Sequence, residues 1–331
     1  MMFKKRLLAM LLSGAMVLGM TACSGGGDTA QPDGADNAAQ ADQGGDAPGK
    51  LKIGVALCST TTEFWSAVVD GFNAAQADLG VEMTIVAPSS QTDVSGQVSQ
   101  IEDLVTQDID AIVVGPCDST TVSQPLQAAI EKGIPIVILD SEVKDVQDCF
   151  VGTSNQEAAA SSETILKETL GTGWNAVIIG GIQGHEAGNG RVAGFEDAMK
   201  ACGANLLEMQ YGDWTPEKAM DIMENFLQKY DNIDAVLCAS DNTALGAMRA
   251  IQSSGKDIKI IGFDANESAV QEVINGNFLA TISQDTYGIG YESLKAATQL
   301  ANGEKVEDYV FVPTHLITKD NAEDFLAGTL S

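Results

Sequence analysis

Apolar residues fall along this chain in two patterns that alternate: short unbroken runs, and longer stretches in which they recur every three or four residues. The first run, Ile53 to Leu57, is nearly all apolar, as suits a strand buried on both faces of a parallel sheet. From Glu63 the residues Trp65, Val68, Phe72, Ala75 and Leu79 mark one helical face, and Gly80 stands where a left-handed C-cap belongs. The turn between them, Cys58 to Glu63, holds three threonines and no glycine. It therefore cannot be the glycine-rich pyrophosphate cradle of a dinucleotide-binding fold. Instead it presents hydroxyls and the Phe64-Trp65 pair at the carboxyl end of a strand, where open parallel sheets bind ligands.

The same reading predicts strands at Met83 to Val86, Ala111 to Val114, Ile136 to Leu139, Ala176 to Ile179, Ala235 to Cys238, Lys259 to Gly262 and Ala280 to Ser283, with helices between them. An internal repeat refines the picture. IDAIVVGPCDSTTVSQPLQAAIEKGIPIVILDS (109 to 141) can be laid on IDAVLCASDNTALGAMRAIQSSGKDIKIIGFDA (233 to 265), which predicts two similar α/β lobes. In each copy an apolar strand ends in an aspartate, Asp140 or Asp264, and Asp118 matches Asp241. Two facing sheets would set the strand-end aspartates on opposite walls of one cleft.

The N-terminus has another purpose. Lys4, Lys5 and Arg6 precede the apolar run Leu7 to Met20, closed by Met20-Thr21-Ala22-Cys23. This pattern predicts an export signal over 1-23 whose lipobox cysteine, Cys23, is acylated; an uncleaved anchor helix is the alternative. Residues 24-50 contain no aromatic or branched aliphatic side chain, so they read as an acidic tether without a core. The expected location is the outer face of the cytoplasmic membrane, with the soluble part held by acyl chains. Formal charge is −28 over the whole chain and more negative still once the three basic residues of the signal are lost. Such a chain is repelled by phosphate backbones, which argues against nucleic acid and favours a neutral or cationic ligand. Cysteines 58, 117, 149, 202 and 238 show no paired spacing and read as small buried hydrophobes, although one bridge stays open to an exported protein.

Jointly, ALCSTTTEFWSAVVDGF, GIPIVILDS, GRVAGF, AVLCASDNTALGAMRAI, KIIGFDA and ATISQD resemble the periplasmic ribose/galactose-type sugar-binding proteins from Lys52 onward. The resemblance implies an α/β fold of two Rossmann-like lobes with parallel central sheets, the type I periplasmic-binding-protein clamshell. Three interlobe crossings, near Ser154, Gln284 to Asp285 and Pro313, would divide it into 51-154 plus 285-313 and 155-284 plus 314-331. It implies a monomer that captures a monosaccharide or small polyol without cofactor, metal or catalysis and serves an ABC transporter permease. It places ligand contacts on Phe64, Trp65, Asp140, Arg191, Trp214, Asp264 and Gln284. Thr62 and Ser240 stand where asparagines are usual in the ribose-type pattern, Ser141 where an arginine is usual, and Trp214 where phenylalanine is common. Without that arginine, Asp140 would be satisfied by ligand hydroxyls, water or Arg191, and free ribose would not be the best ligand. Aromatic faces suit the C–H side of a sugar ring, while carboxylates, an amide and a guanidinium suit its hydroxyls.

Each residue taken alone has a plainer explanation. Trp65 lies on the apolar helical stripe and can be core; strand-end aspartates are commonly helix caps; an isolated arginine is commonly a surface ion pair. His185, in a glycine-rich loop, is expected to be solvated, with ligand contact as the alternative. An enzyme finds little support: there is no Gly-x-Ser-x-Gly elbow or Gly-x-x-x-x-Gly-Lys loop, and neither His185 nor His315 has a metal-type partner four residues on. A glycoside-processing pair of cleft carboxylates is the remaining catalytic alternative, and a sugar sensor using the same fold is the non-transport one. A repressor would need a DNA-binding helix pair before residue 51, where the export signal and tether stand.

Overall fold

A computed structural model describes residues 49-143 and 145-330; Cys23, the export signal and nearly all of the tether lie outside the described residues. The first half runs β1 (Lys52–Ala56), α1 (Glu63–Leu79), β2 (Glu82–Val86), α2 (Val94–Thr106), β3 (Ala111–Val114), α3 (Ser123–Glu131), β4 (Ile136–Leu139) and β5 (Cys149–Gly152). It continues with α4 (Asn155–Ala160), α5 (Glu163–Leu170), β6 (Asn175–Gly180), α6 (Glu186–Ala201), β7 (Asn205–Tyr211), α7 (Pro216–Lys229), β8 (Ala235–Cys238) and α8 (Asp241–Ser254). The rest is β9 (Lys259–Asp264), α9 (Glu267–Asn275), β10 (Ala280–Ser283), α10 (Thr286–Ala301), β11 (Tyr309–Phe311), β12 (Leu316–Thr318) and α11 (Ala322–Leu326).

Among the described residues two six-stranded sheets result, ordered β11-β5-β4-β3-β1-β2 and β12-β10-β9-β8-β6-β7. The orders are the same once five is added to each of the first five strand numbers, so the sequence repeat is a repeat of sheet position. All pairings are parallel except that of β12 on β10. Helices cover both faces, and consecutive strand residues therefore enter different cores: Val113 and Leu139 pack with Phe72 on one face of the first sheet, Ile112 and Ile138 with Leu126 on the other. The second sheet divides likewise, Val236 and Ile260 joining Phe226 while Leu237 and Ile261 join Phe195. This double burial is why these strands are continuous apolar runs instead of alternating ones. The chain passes between the sheets three times, after β5, after β10 and after β11.

Four strands match the sequence expectation residue for residue, and the helix of the first unit ends at Gly80 in the left-handed region, φ 68. Four others, β5, β7, β11 and β12, were not anticipated. β7 carries Glu208 and Gln210 at a sheet edge and has no fully buried residue, while β11 and β12 span three residues each, too few to register a period. Leu79 also departs from its expected core place: it is 37% exposed in the last turn, whereas Trp65, Val68, Phe72 and Ala75 are buried. Cysteines 58, 117, 149, 202 and 238 are all free and buried.

Candidate functional site

Asp140 follows β4 and Asp264 ends β9, the equivalent strands of the two sheets, so both side chains emerge at strand carboxyl ends. Both have positive φ, 65 and 113, a region that non-glycine residues enter rarely and that concentrates at functional sites. Between them lies Arg191 of α6. Its Nη1 donates to Asp264 Oδ1 at 3.1 Å and to Ala239 O at 2.9 Å, its Nε donates to Asn155 Oδ1 at 2.8 Å, and its Nη2 stands 3.6 Å from Asp140 Oδ1. That last separation is an ion pair too long for a hydrogen bond, and Asp140 Oδ1 is buried with no donor among the described residues. The guanidinium lies over Phe263, 4.1 Å from the ring centroid, a stacked setting that suits arginine. Burial is the main influence on Asp264 and pushes its carboxyl up to about 7, against the pull of Arg191. Gln284 donates to Asp264 Oδ1 at 2.8 Å and accepts from Thr153 Oγ1 at 2.7 Å.

Aromatic walls enclose this polar floor. Phe64 and Trp65 meet edge to face with centroids 5.0 Å apart, and the Trp65 indole N–H donates to Gln91 Oε1 at 3.2 Å. Trp214, at φ 59, forms another wall, and His185 meets its ring edge-on at 5.5 Å. His185 is buried, not solvated. Its Nε2 lies 3.1 Å from Pro116 O; a carbonyl can only accept, so Nε2 carries the proton. Nδ1 is then a lone-pair acceptor, and it is buried without a partner among the described residues. Burial lowers the imidazole's proton affinity, which keeps the ring in this neutral form. The empty space between these walls, open mouth included, is about 400 Å³.

Residues 53–305 match the family described as periplasmic binding protein domain. The chain belongs to that family. It is 30% identical over 271 residues to the ribose import binding protein of Bacillus subtilis (strain 168), covering 82% of this chain and 88% of the relative. It is 31% identical over 265 residues to the D-allose-binding periplasmic protein of Escherichia coli (strain K12), covering 76% and 85% respectively. Among solved structures it resembles an ABC transporter solute binding protein from Bacillus halodurans C-125 with bound myo-inositol: TM-score 0.78, 30% identity, 85% of this chain and 99% of that one. A carbohydrate transporter solute binding protein from Agrobacterium radiobacter in complex with D-arabinose gives TM-score 0.80 and 28% identity, with coverage of 86% and 99%. These relatives are named as binding and import proteins, not enzymes.

In this periplasmic binding protein domain the sequence-predicted residues divide into two groups. Phe64, Trp65, Asp140, Arg191, Trp214 and Asp264 line the cavity, as do Thr62 and Ser240. The last two also serve their own helices: Thr62 Oγ1 accepts from Trp65 N and Ser240 Oγ from Thr243 N, each at 3.3 Å. Trp65 is thus both core and wall. Ser141 and Gln284, expected as contacts, are not among the lining residues. Gln284 fixes Asp264 from behind. Ser141 is fully buried, and its hydroxyl is engaged by the first turn of α6, accepting from Ala187 N at 3.0 Å. Three lining residues escaped the sequence reading: Cys58, Gln91 and Asn242. Gln91 sits in the loop after β2, the neighbour of β1, and that strand-end placement was the available signal.

Proposed function

We propose that this cavity takes one sugar ring or cyclic polyol, and that the closed chain delivers it to an ABC transporter permease. The observation that carries the reading is the pair of buried acceptors without donors among the described residues, Asp140 Oδ1 and His185 Nδ1, in a cavity that includes Trp65 and Trp214. Both call for ligand hydroxyls, and a buried acceptor left unmatched costs about 1–3 kcal/mol. Arg191 and the Gln91 and Asn242 amides supply donors for the ligand's oxygens, and the indoles supply apolar faces. An anionic ligand would meet two carboxylates served by one guanidinium. The names of the relatives support delivery to a permease.

The pocket favours a bulkier or more substituted ring than free ribose. Thr62 and Ser240 present short hydroxyls, Ser141 is withdrawn, and Trp214 gives a broad wall. A thermal-shift panel of D-ribose, D-allose, D-arabinose, hexoses and myo-inositol tests both statements, since a ligand at 100 times its Kd stabilises by about 2.7 kcal/mol. The expected result is a shift with a hexose or inositol larger than with ribose. Ribose giving the largest shift overturns the size argument; no shift with any sugar or polyol overturns the assignment; recovery of altered sugar after incubation points to the glycoside-processing alternative.

The cell-envelope location rests on the lipobox sequence ending at Cys23. In Cys23→Ala, membrane fractionation should find the chain released or unprocessed; a variant still processed and anchored like wild type removes the anchor. The lobes are assigned as 51-154 plus 285-313 and 155-284 plus 314-331, moving about the three crossings as a monomer.

A further inference from the structure

The first turn of α6 has no cap of its own. His185, its N-cap residue, provides no side-chain hydrogen bond, yet a helix N-terminus leaves its first backbone N–H groups without intrahelical acceptors. Those donors are served from the other sheet's loops. Glu186 N donates to Ser119 Oγ at 3.1 Å and Ala187 N donates to Ser141 Oγ at 3.0 Å. The serine hydroxyls also bond each other at 3.0 Å, and His185 Nε2 donates beside them to Pro116 O at 3.1 Å. Ser119 and Ser141 follow β3 and β4 of the first sheet, whereas α6 follows β6 of the second. On another lip of the cleft, Ser268 Oγ of α9 donates to Glu63 Oε2 of α1.

We propose that Ser119 and Ser141 are positioning residues that set ligand affinity without touching ligand, by capping α6 across the cleft and so holding the lobes closed. Neither serine lines the cavity, so their contribution is to the closed form itself. When the lobes part, water must replace both hydroxyls at the Glu186 and Ala187 amides. Apparent affinity scales with the fraction of molecules in the binding-competent form, so any device that raises the closed fraction in the empty chain tightens binding of whatever ligand fits. The inference goes beyond the sugar assignment and does not depend on it, because closure is measurable with the site empty.

The test compares the ligand-free full chain with Ser119→Ala/Ser141→Ala by small-angle scattering and by hydrogen exchange at the Glu186 and Ala187 amides. The double variant should expand. Its two amides should exchange roughly 30-fold faster, the change expected from losing two hydrogen bonds of ordinary net strength. Ser119→Thr, which keeps the hydroxyl, should scatter like wild type. Wild-type amides that already exchange at the unprotected rate overturn the clasp. Faster amides with unchanged scattering overturn its closing role, leaving only a local cap. If the double variant fails to fold, Ser119→Ala alone supplies the same comparison, since Ser119 is 8% exposed and lies at the margin of the buried pair.

Discussion

Arg191→Met should abolish measurable ligand binding and destabilise the empty chain by about 3–5 kcal/mol at neutral pH, the scale for removing one member of a buried charge cluster. Methionine keeps much of the volume between Phe263 and Trp214, so the loss is mainly one of charge and of the bonds to Asn155, Ala239 and Asp264. The pH dependence separates this from a packing defect. Burial already raises Asp264 to about 7 with Arg191 present, so its removal drives that carboxyl higher. A carboxyl raised in the folded state contributes stability that is full below its unfolded value, ~3.9, and lost as pH rises through the folded one. The variant should therefore approach wild type as pH falls toward 5 and fall further behind it as pH rises to 8. Thermal melts across that range check it; a deficit that does not change with pH would mean that Arg191 matters as bulk, not as a cation.

The origin of this cluster explains what was legible in the sequence. Asp140 and Asp264 can be paired from the sequence because each ends an apolar run at the same place in the repeat, and parallel α/β geometry turns an equivalent strand end into a facing cleft wall. The repeat did not transmit roles at every position. Asp118, on the part-exposed loop after β3, accepts from Thr120 N and Thr121 N, whereas its match Asp241 is fully buried and binds Thr281 Oγ1 at 2.7 Å and Asn266 N at 2.8 Å, joining α8 to the loop after β9 and to β10. One registers as a loop cap and the other as an internal strut, a difference set by surroundings that no local spacing encodes. Ser141 illustrates the same limit. Its neighbour's role followed from the strand end, but where its own hydroxyl went depended on α6, which lies 45 residues along the chain and in the other lobe. His185 read as a solvated loop residue because the Pro116 carbonyl that meets its ring lies 69 residues back, in the loop after β3 of the other sheet.

Gly181→Ala should weaken ligand binding roughly 10- to 100-fold, nearly as much as Trp214→Ala, although residue 181 is not among the residues lining the cavity. A Cβ at Gly181 would clash with the Cη2 and Cζ2 atoms of the Trp214 indole, and one at Gly188 would meet the same edge at 3.2 Å. The ring therefore rests on backbone where any side chain would displace it. It has little freedom to adapt: Trp214 holds φ 59, His185 closes its edge, and Arg191 stands 5.5 Å from its centroid. Overpacking of this kind costs about 1–3 kcal/mol, and here the strain is relieved by swinging the wall into the space a ligand ring would occupy. A double-mutant cycle decides whether the glycine acts through the indole. If it does, Gly181→Ala should add little in a Trp214→Ala background, a coupling of about 1–3 kcal/mol between the two sites. Calorimetric affinities that are additive across the four proteins would show that Gly181 affects binding by another route, and a Gly181→Ala chain that binds like wild type would show that Trp214 is not a wall of the ligand site.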